Sequence, residues 1–294
     1  MRTQPYPKLQ KLIALSAIIF LLSGCTQDAT PEPTEPQSNA WSGQVLEVNP
    51  ETSTFKVRAK DSEAIEVEVF QGDAMVYKRG DYIRGTLQTS PHYRLESIWP
   101  ANPITERILK DRNEQLRRDT VARGLKAFRG VGEYTPLFAL YNQDAALMTP
   151  ERWRGRRVVL NFVFTRCTIP TMCPASTARM ARLQREAKKE GLSDLQLATI
   201  TFDPQHDTPG ILKYYAVSRG IDNTNYDFLT GPHSTVQDVL KQFGILVQPE
   251  DGTLDHTMAT LIIDGQGKIR YRKDGSRWSV EEFIDQLKKI EPIS

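Results

Sequence analysis

With 294 residues, 39% of them hydrophobic and 25% charged, the chain is long enough for one large domain or two modest ones and has an ordinary soluble composition. Its formal charge is +2; without the first 24 residues, which hold Arg2, Lys8 and Lys11 and no acid, 35 basic side chains face 36 acidic ones, net −1. A nucleic-acid partner therefore has no electrostatic support.

The opening stretch MRTQPYPKLQKLIALSAIIFLLSGC sets its basic residues before an apolar run, Leu12 to Leu22, too short to cross a bilayer comfortably, and ends in Leu22-Ser23-Gly24-Cys25. It resembles a bacterial lipoprotein signal, residues 1–24, cleaved before a lipidated Cys25. That lipid would keep Cys25 out of disulfide chemistry and anchor the chain at a membrane, facing the periplasm, where disulfides persist. Thr26 lacks the Asp that commonly retains lipoproteins at an inner membrane, so the choice between inner and outer membrane stays open. Residues 25–40, polar and proline-rich, read as a flexible tether.

Residues 41–100 hold five short runs of alternating apolar and polar residues, GQVLEVN, TFKVRA, AIEVEVF, YIRGTLQ and YRLESIW, which predict a small all-β barrel or sandwich. Its aromatics, Trp41, Phe55, Phe70, Tyr77, Tyr82, Tyr93 and Trp99, are expected in its core, while Met75 and His92 are isolated and give no metal cluster. Residues 101–131 read as a connecting helix with Ile104, Ile108, Leu116 and Val121 on its packing face.

From residue 132 to 294 strand and helix alternate. RRVVLNFVFT is a nearly continuous apolar run of the kind buried on both faces, and LQLATITFDP reads as a second buried strand. A helix with Pro174 in its first turn and Gly191 at its end follows the first, and one capped by Thr208 and stopped by Gly220 follows the second. Ser234 with Gln237, and Ser279 with Glu282, are spaced as capping boxes, and Gly265-Gln266-Gly267 turns a hairpin between them. The order predicts an α/β domain with a mixed sheet.

The segment RCTIPTMCPAS carries Cys167 and Cys173. On a continuous helix they would lie roughly 9 Å apart along the axis, beyond the ~7 Å at which two Cα atoms can be bridged. If they act together, residues 167–172 must fold back. Cys173 would then sit at a helix N-terminus, where the dipole is expected to lower its thiol pKa. A structural disulfide, a redox pair and a metal site all remain open. Two soft thiolates suit Cu(I), with an imidazole from His92, His206, His233 or His256 as third ligand. His206 and His233 sit in turn-like segments and are expected to be exposed; His256 lies on the loop entering the terminal hairpin.

Three motifs in order, VVLNFVFTRC with its CP five residues on, ITFDPQHDTP, and LDHTMATLIIDGQGKI, resemble the Sco/SenC family of thioredoxin-like proteins of respiratory copper handling, over residues 133–291. The resemblance implies a thioredoxin-like fold, a copper ion held by Cys167, Cys173 and His256, and a copper-receiving oxidase subunit as partner in assembly of the binuclear copper centre of cytochrome c oxidase. It places Asp203 and Asp207 toward the site or a partner. The family's usual spacing leaves three residues between the cysteines; here there are five, TIPTM, and a wider loop favours redox exchange over metal retention. The expectation is a metallochaperone rather than an enzyme, the rival a periplasmic thiol-disulfide oxidoreductase that uses the same pair without metal.

Overall fold

The computed structural model describes residues 39–250 and 253–291. The expected signal segment 1–24, Cys25 and the tether as far as residue 38 lie outside the described residues. Among the described residues no helix is long and apolar enough to cross a membrane.

Five strands, β1 (Ala40–Asn49), β2 (Thr54–Ala59), β3 (Ala64–Glu68), β4 (Tyr82–Gln88) and β5 (Arg94–Pro100), close a barrel in the order β1-β2-β3-β5-β4. Alternation along each strand turns Val45, Phe55, Val57, Ile83, Leu95 and Ile98 into a dry core. Of the seven aromatics only Phe55 and Tyr77 are fully in that core; Phe70, Tyr82 and Tyr93 stay exposed, Phe70 meeting the Tyr214 ring edge-on at 5.2 Å. A short helix that the sequence pattern did not signal, α1 (Gln71–Val76), sits between β3 and β4. It crosses another helix, α4 (Pro209–Ser218), at a pair of glycines: a β-carbon on Gly72 would stand 2.0 Å from the Gly210 carbonyl oxygen.

The connecting helix α2 (Pro103–Arg123) starts where the Asn102 side chain accepts from the Ile104 and Thr105 amides at 2.9 and 3.3 Å. Its packing face differs from the expected one. Leu109, Leu116 and Thr120 are buried, while Ile104, Ile108 and Val121 are 71%, 41% and 63% exposed. The buried row is completed by a polar residue, Asn113, whose amide bonds both the N–H and the C=O of Ala139 at 3.0 Å. An apolar count along the helix misses a stripe that includes an asparagine.

The remaining strands build a seven-stranded mixed sheet from β6 (Leu140–Asn142), β7 (Leu147–Met148), β8 (Arg157–Val163), β9 (Leu195–Thr201), β10 (Tyr226–Thr230), β13 (Ala259–Ile263) and β14 (Ile269–Asp274), in the order β14-β13-β8-β9-β10-β6-β7. β8, β9 and β10 are parallel and the flanking strands antiparallel. Every residue of β8 and β9 is buried, as expected of largely apolar runs. One face packs against α3 (Cys173–Lys189), α4 and α6 (Val280–Lys288); the other against α2 and α5 (His233–Gln242).

Thr208 caps α4, and Ser279 accepts from the Glu282 amide at 3.0 Å to cap α6. The Ser234–Gln237 box does not form: α5 begins two residues earlier, with Pro232 rather than Ser234 at the N-cap position, so Ser234 lies inside the first turn. A small antiparallel hairpin, β11 (Val247–Glu250) and β12 (Thr253–His256), precedes β13, so His256 ends a strand rather than sitting in a bare loop.

Candidate metal and thiol site

β8 runs through the centre of the sheet and ends at Val163, so residues 164–172 emerge at the carboxyl end of the parallel strands, where α/β folds leave their crevices. The loop folds back as the cysteine spacing required. The Cys167 amide donates to the Phe164 carbonyl at 3.4 Å and the Met172 amide to the Ile169 carbonyl at 3.1 Å, which returns the chain to start α3 at Cys173 with Pro174 in its first turn. Both cysteines are thiols. Cys167 is half-buried at the surface, while Cys173 has no exposed area.

Burial pushes the Cys173 thiol well up from its ordinary range; the Phe164 backbone opposes this, and the neighbouring Cys167 and Asp207 raise it further. The expected lowering by the helix dipole is therefore overturned. A helix terminus is worth a kilocalorie or so where the group is solvated, about 0.3–1 kcal/mol, whereas removing a charged sulfur from water costs more.

The two aspartates of DPQHDTP brace the loop from below. Asp203, nearly buried, takes the Arg166 guanidinium at 2.9 and 2.6 Å, one residue before Cys167. Asp207, fully buried, accepts from the Thr165 amide at 3.2 Å and from the Thr165 and Thr201 hydroxyls. Burial pushes Asp207 up to about 6 against those hydrogen bonds. His206, in the same turn, is half-buried rather than exposed, and burial followed by the Arg166 charge holds its imidazole below the usual range. His233 is exposed at the start of α5, and His92 is exposed beside Glu68 at 3.6 Å, on the barrel.

His256 reaches the same end of the sheet. Its ring packs on Phe202, 4.3 Å between centroids, and edge-on to Phe164 at 5.8 Å, with Nδ1 3.3 Å from the Thr257 carbonyl oxygen. Phe164 and Phe202 directly follow the buried strands β8 and β9, so this aromatic shelf sets the imidazole three residues from Cys167 along the loop that Phe164 begins. His256 thus packs on Phe164 and Phe202, and Cys167 and Cys173 neighbour each other at the two ends of the loop that follows Phe164. Among the described residues the structure does not close three or more His, Cys, Asp or Glu side chains into a ready-made metal cage. Sequence reasoning missed Phe164, Phe202, Arg166 and Thr165; the available signal was a phenylalanine directly after each of the two buried strands.

A family model described as SCO1/SenC matches residues 128–291. The SCO1 protein homolog of Bacillus subtilis is 32% identical over 136 residues, 45% of this chain and 69% of its own length. A Stutzerimonas stutzeri protein named for copper binding is 30% identical over 140 residues, 46% of this chain and 66% of its own. The crystal structure of a SCO1/SenC family lipoprotein from Bacillus anthracis superposes with a TM-score of 0.51 at 32% identity, covering 55% of this chain and 98% of that one. With more than half of its length matched, and the cysteine loop, the aspartate turn and His256 all inside the matched span, the chain belongs to the SCO1/SenC family.

Proposed function

We propose that the chain is a Sco-type copper carrier, held to a membrane by a lipid on Cys25 and facing the periplasm, that takes up one copper ion between Cys167, Cys173 and His256 and hands it to a copper-receiving oxidase subunit. What supports this reading is that the His256 imidazole, from a segment far along the chain, packs on Phe164 at the root of the loop whose two thiols neighbour each other. Family membership and the copper-binding name of the Stutzerimonas relative support copper as cargo, and the Bacillus anthracis lipoprotein supports the anchor. The oxidase role rests on the family resemblance of the three motifs.

The donor set fits Cu(I), which two thiolates and an imidazole satisfy at low coordination number. Uptake draws Cys167 and His256 in toward the buried Cys173. Both thiols must give up protons, and burial makes that hardest at Cys173, so loading weakens steeply in acid. The half-buried Cys167 is the point of entry and exit, and Arg166 and Thr165, pinned by Asp203 and Asp207, hold its loop in place.

A second reading is favoured by the open arrangement of the two thiols: thiol-disulfide exchange without metal. The Cys167 thiolate attacks a partner disulfide and expels one partner thiolate, then Cys173 resolves the mixed disulfide, leaving the chain oxidised and the partner reduced by two electrons. A Cu(I) titration of the reduced chain at neutral pH decides between them. One equivalent should bind, and His256→Ala should lose most of that affinity. Equal binding by His256→Ala removes the copper assignment; inactivity of either Cys→Ser variant in disulfide exchange, with His256→Ala active, establishes the rival.

A further inference from the structure

β14 is an outer strand of the sheet, and only its beginning is covered. Gly132 donates to the Ile269 carbonyl at 2.8 Å, Ile269 to Glu133 at 2.9 Å and Thr135 to Gly267 at 2.9 Å, so residues 132–135 shield that half. Beyond it a bulge opposite Ile263 shifts the alternation by one residue. Gly275 then donates inward to the Met258 carbonyl at 2.7 Å, which turns Lys273 and Tyr271 toward β13 and leaves the backbone groups of Arg272 and Asp274 pointing outward. Among the described residues those outward groups have no backbone partner.

This open edge forms one wall of a groove of about 580 Å³ that continues to Met172 and His256, with the half-exposed Phe128 opposite. The rim is cationic. Arg272 stacks on Phe128 at 5.0 Å and pairs with Asp274 at 2.8 Å; Arg179 donates to the Ser276 carbonyl at 2.7 Å; and among the described residues neither Arg179 nor exposed Arg277 has an ion pair. Arg179, bonded to the groove-lining Ser276, and Arg277, next to it in the chain, are thus two positive charges without an ion pair among the described residues.

We infer that the groove is the docking track for the partner of this site: an extended, acidic, cysteine-bearing segment that adds to the Arg272–Asp274 edge of β14 and is thereby led to Cys167. Main-chain hydrogen bonds to an unpaired edge supply affinity without regard to sequence, and the arginines select an acidic segment. The inference rests on the function proposed above and names its partner class.

The test uses the full reduced chain and a fluorescein-labelled acidic peptide with its cysteines replaced by serine, so that docking is read apart from exchange. The peptide should bind by anisotropy, slow hydrogen exchange at the Arg272 and Asp274 amides, and bind roughly tenfold more weakly to Arg277→Glu or as an uncharged Asn/Gln version. Binding indifferent to charge, or binding without protection at those two amides, overturns the inference. So does protection that grows with protein concentration in the absence of peptide, which assigns the edge to a second copy of the chain. Cu(I) uptake is measured on the same preparations: its absence in the parent chain sinks the copper reading whatever the peptide does, and its retention by Arg277→Glu shows that a docking defect is not a damaged site.

Discussion

Cys167 and Cys173 differ by environment more than by position. One thiol stands half-exposed on a loop and the other is sealed in the core, where burial holds it protonated. Iodoacetamide at pH 8 should accordingly modify Cys167 and leave Cys173 unmodified until the chain is denatured, as read by peptide mass spectrometry. Labelling of both at equal rates would mean that the loop opens freely. The motifs that carry the pair, His256 and the two aspartates were legible in the sequence, and all lie inside the span that the family model matches. The asymmetry of the thiols was not, since the cost of desolvation depends on what covers a sulfur in three dimensions. Nor was the half-burial of His206, which follows from Arg166 and Asp203 being drawn together across 37 residues of chain.

At the level of elements, the strands were the readable part. Period-2 runs gave the barrel, largely apolar runs gave β8 and β9, and glycine-punctuated spacing gave the terminal hairpin. Helix faces were harder. In α2 the buried row runs Leu109, Asn113, Leu116, Thr120, and a hydrophobicity pattern cannot credit an asparagine that satisfies a neighbouring backbone. Truncation separates the two faces: Leu116→Ala should cost about 3 kcal/mol, whereas Val121→Ala should fall within about 0.5 kcal/mol of the parent, both measured by urea unfolding. Ser234 shows the same limit at a helix end, where a capping spacing is present but the turn begins two residues too soon for it.

Across the whole molecule, the barrel and the large sheet meet at α1 and α4, and a carboxyl is buried in that seam. Asp73 is 3% exposed, one of its oxygens has no hydrogen-bond partner among the described residues, and burial pushes it up to about 8. His206, Arg94 and Glu96 line the groove beside it, and Tyr77 stands near it on the barrel side. A folded pKa above the unfolded one means that the neutral acid is the stabilising form. The contribution is complete below roughly pH 4, falls as pH rises, and is gone above about 8. Urea midpoints should decline over that interval in the parent and much less in Asp73→Asn; parallel profiles would show that the seam does not carry the acid. No residue pattern announced this seam, because Gly72 and Gly210 carry no side chain by which to predict a contact. Their bare backbones nonetheless bind two histories together: enlarging either residue must be answered by a rearrangement at the other, so the barrel could not be exchanged for a foreign module, or trimmed away, without redesigning the helix that follows directly from the Asp203–Thr208 turn beneath the cysteines.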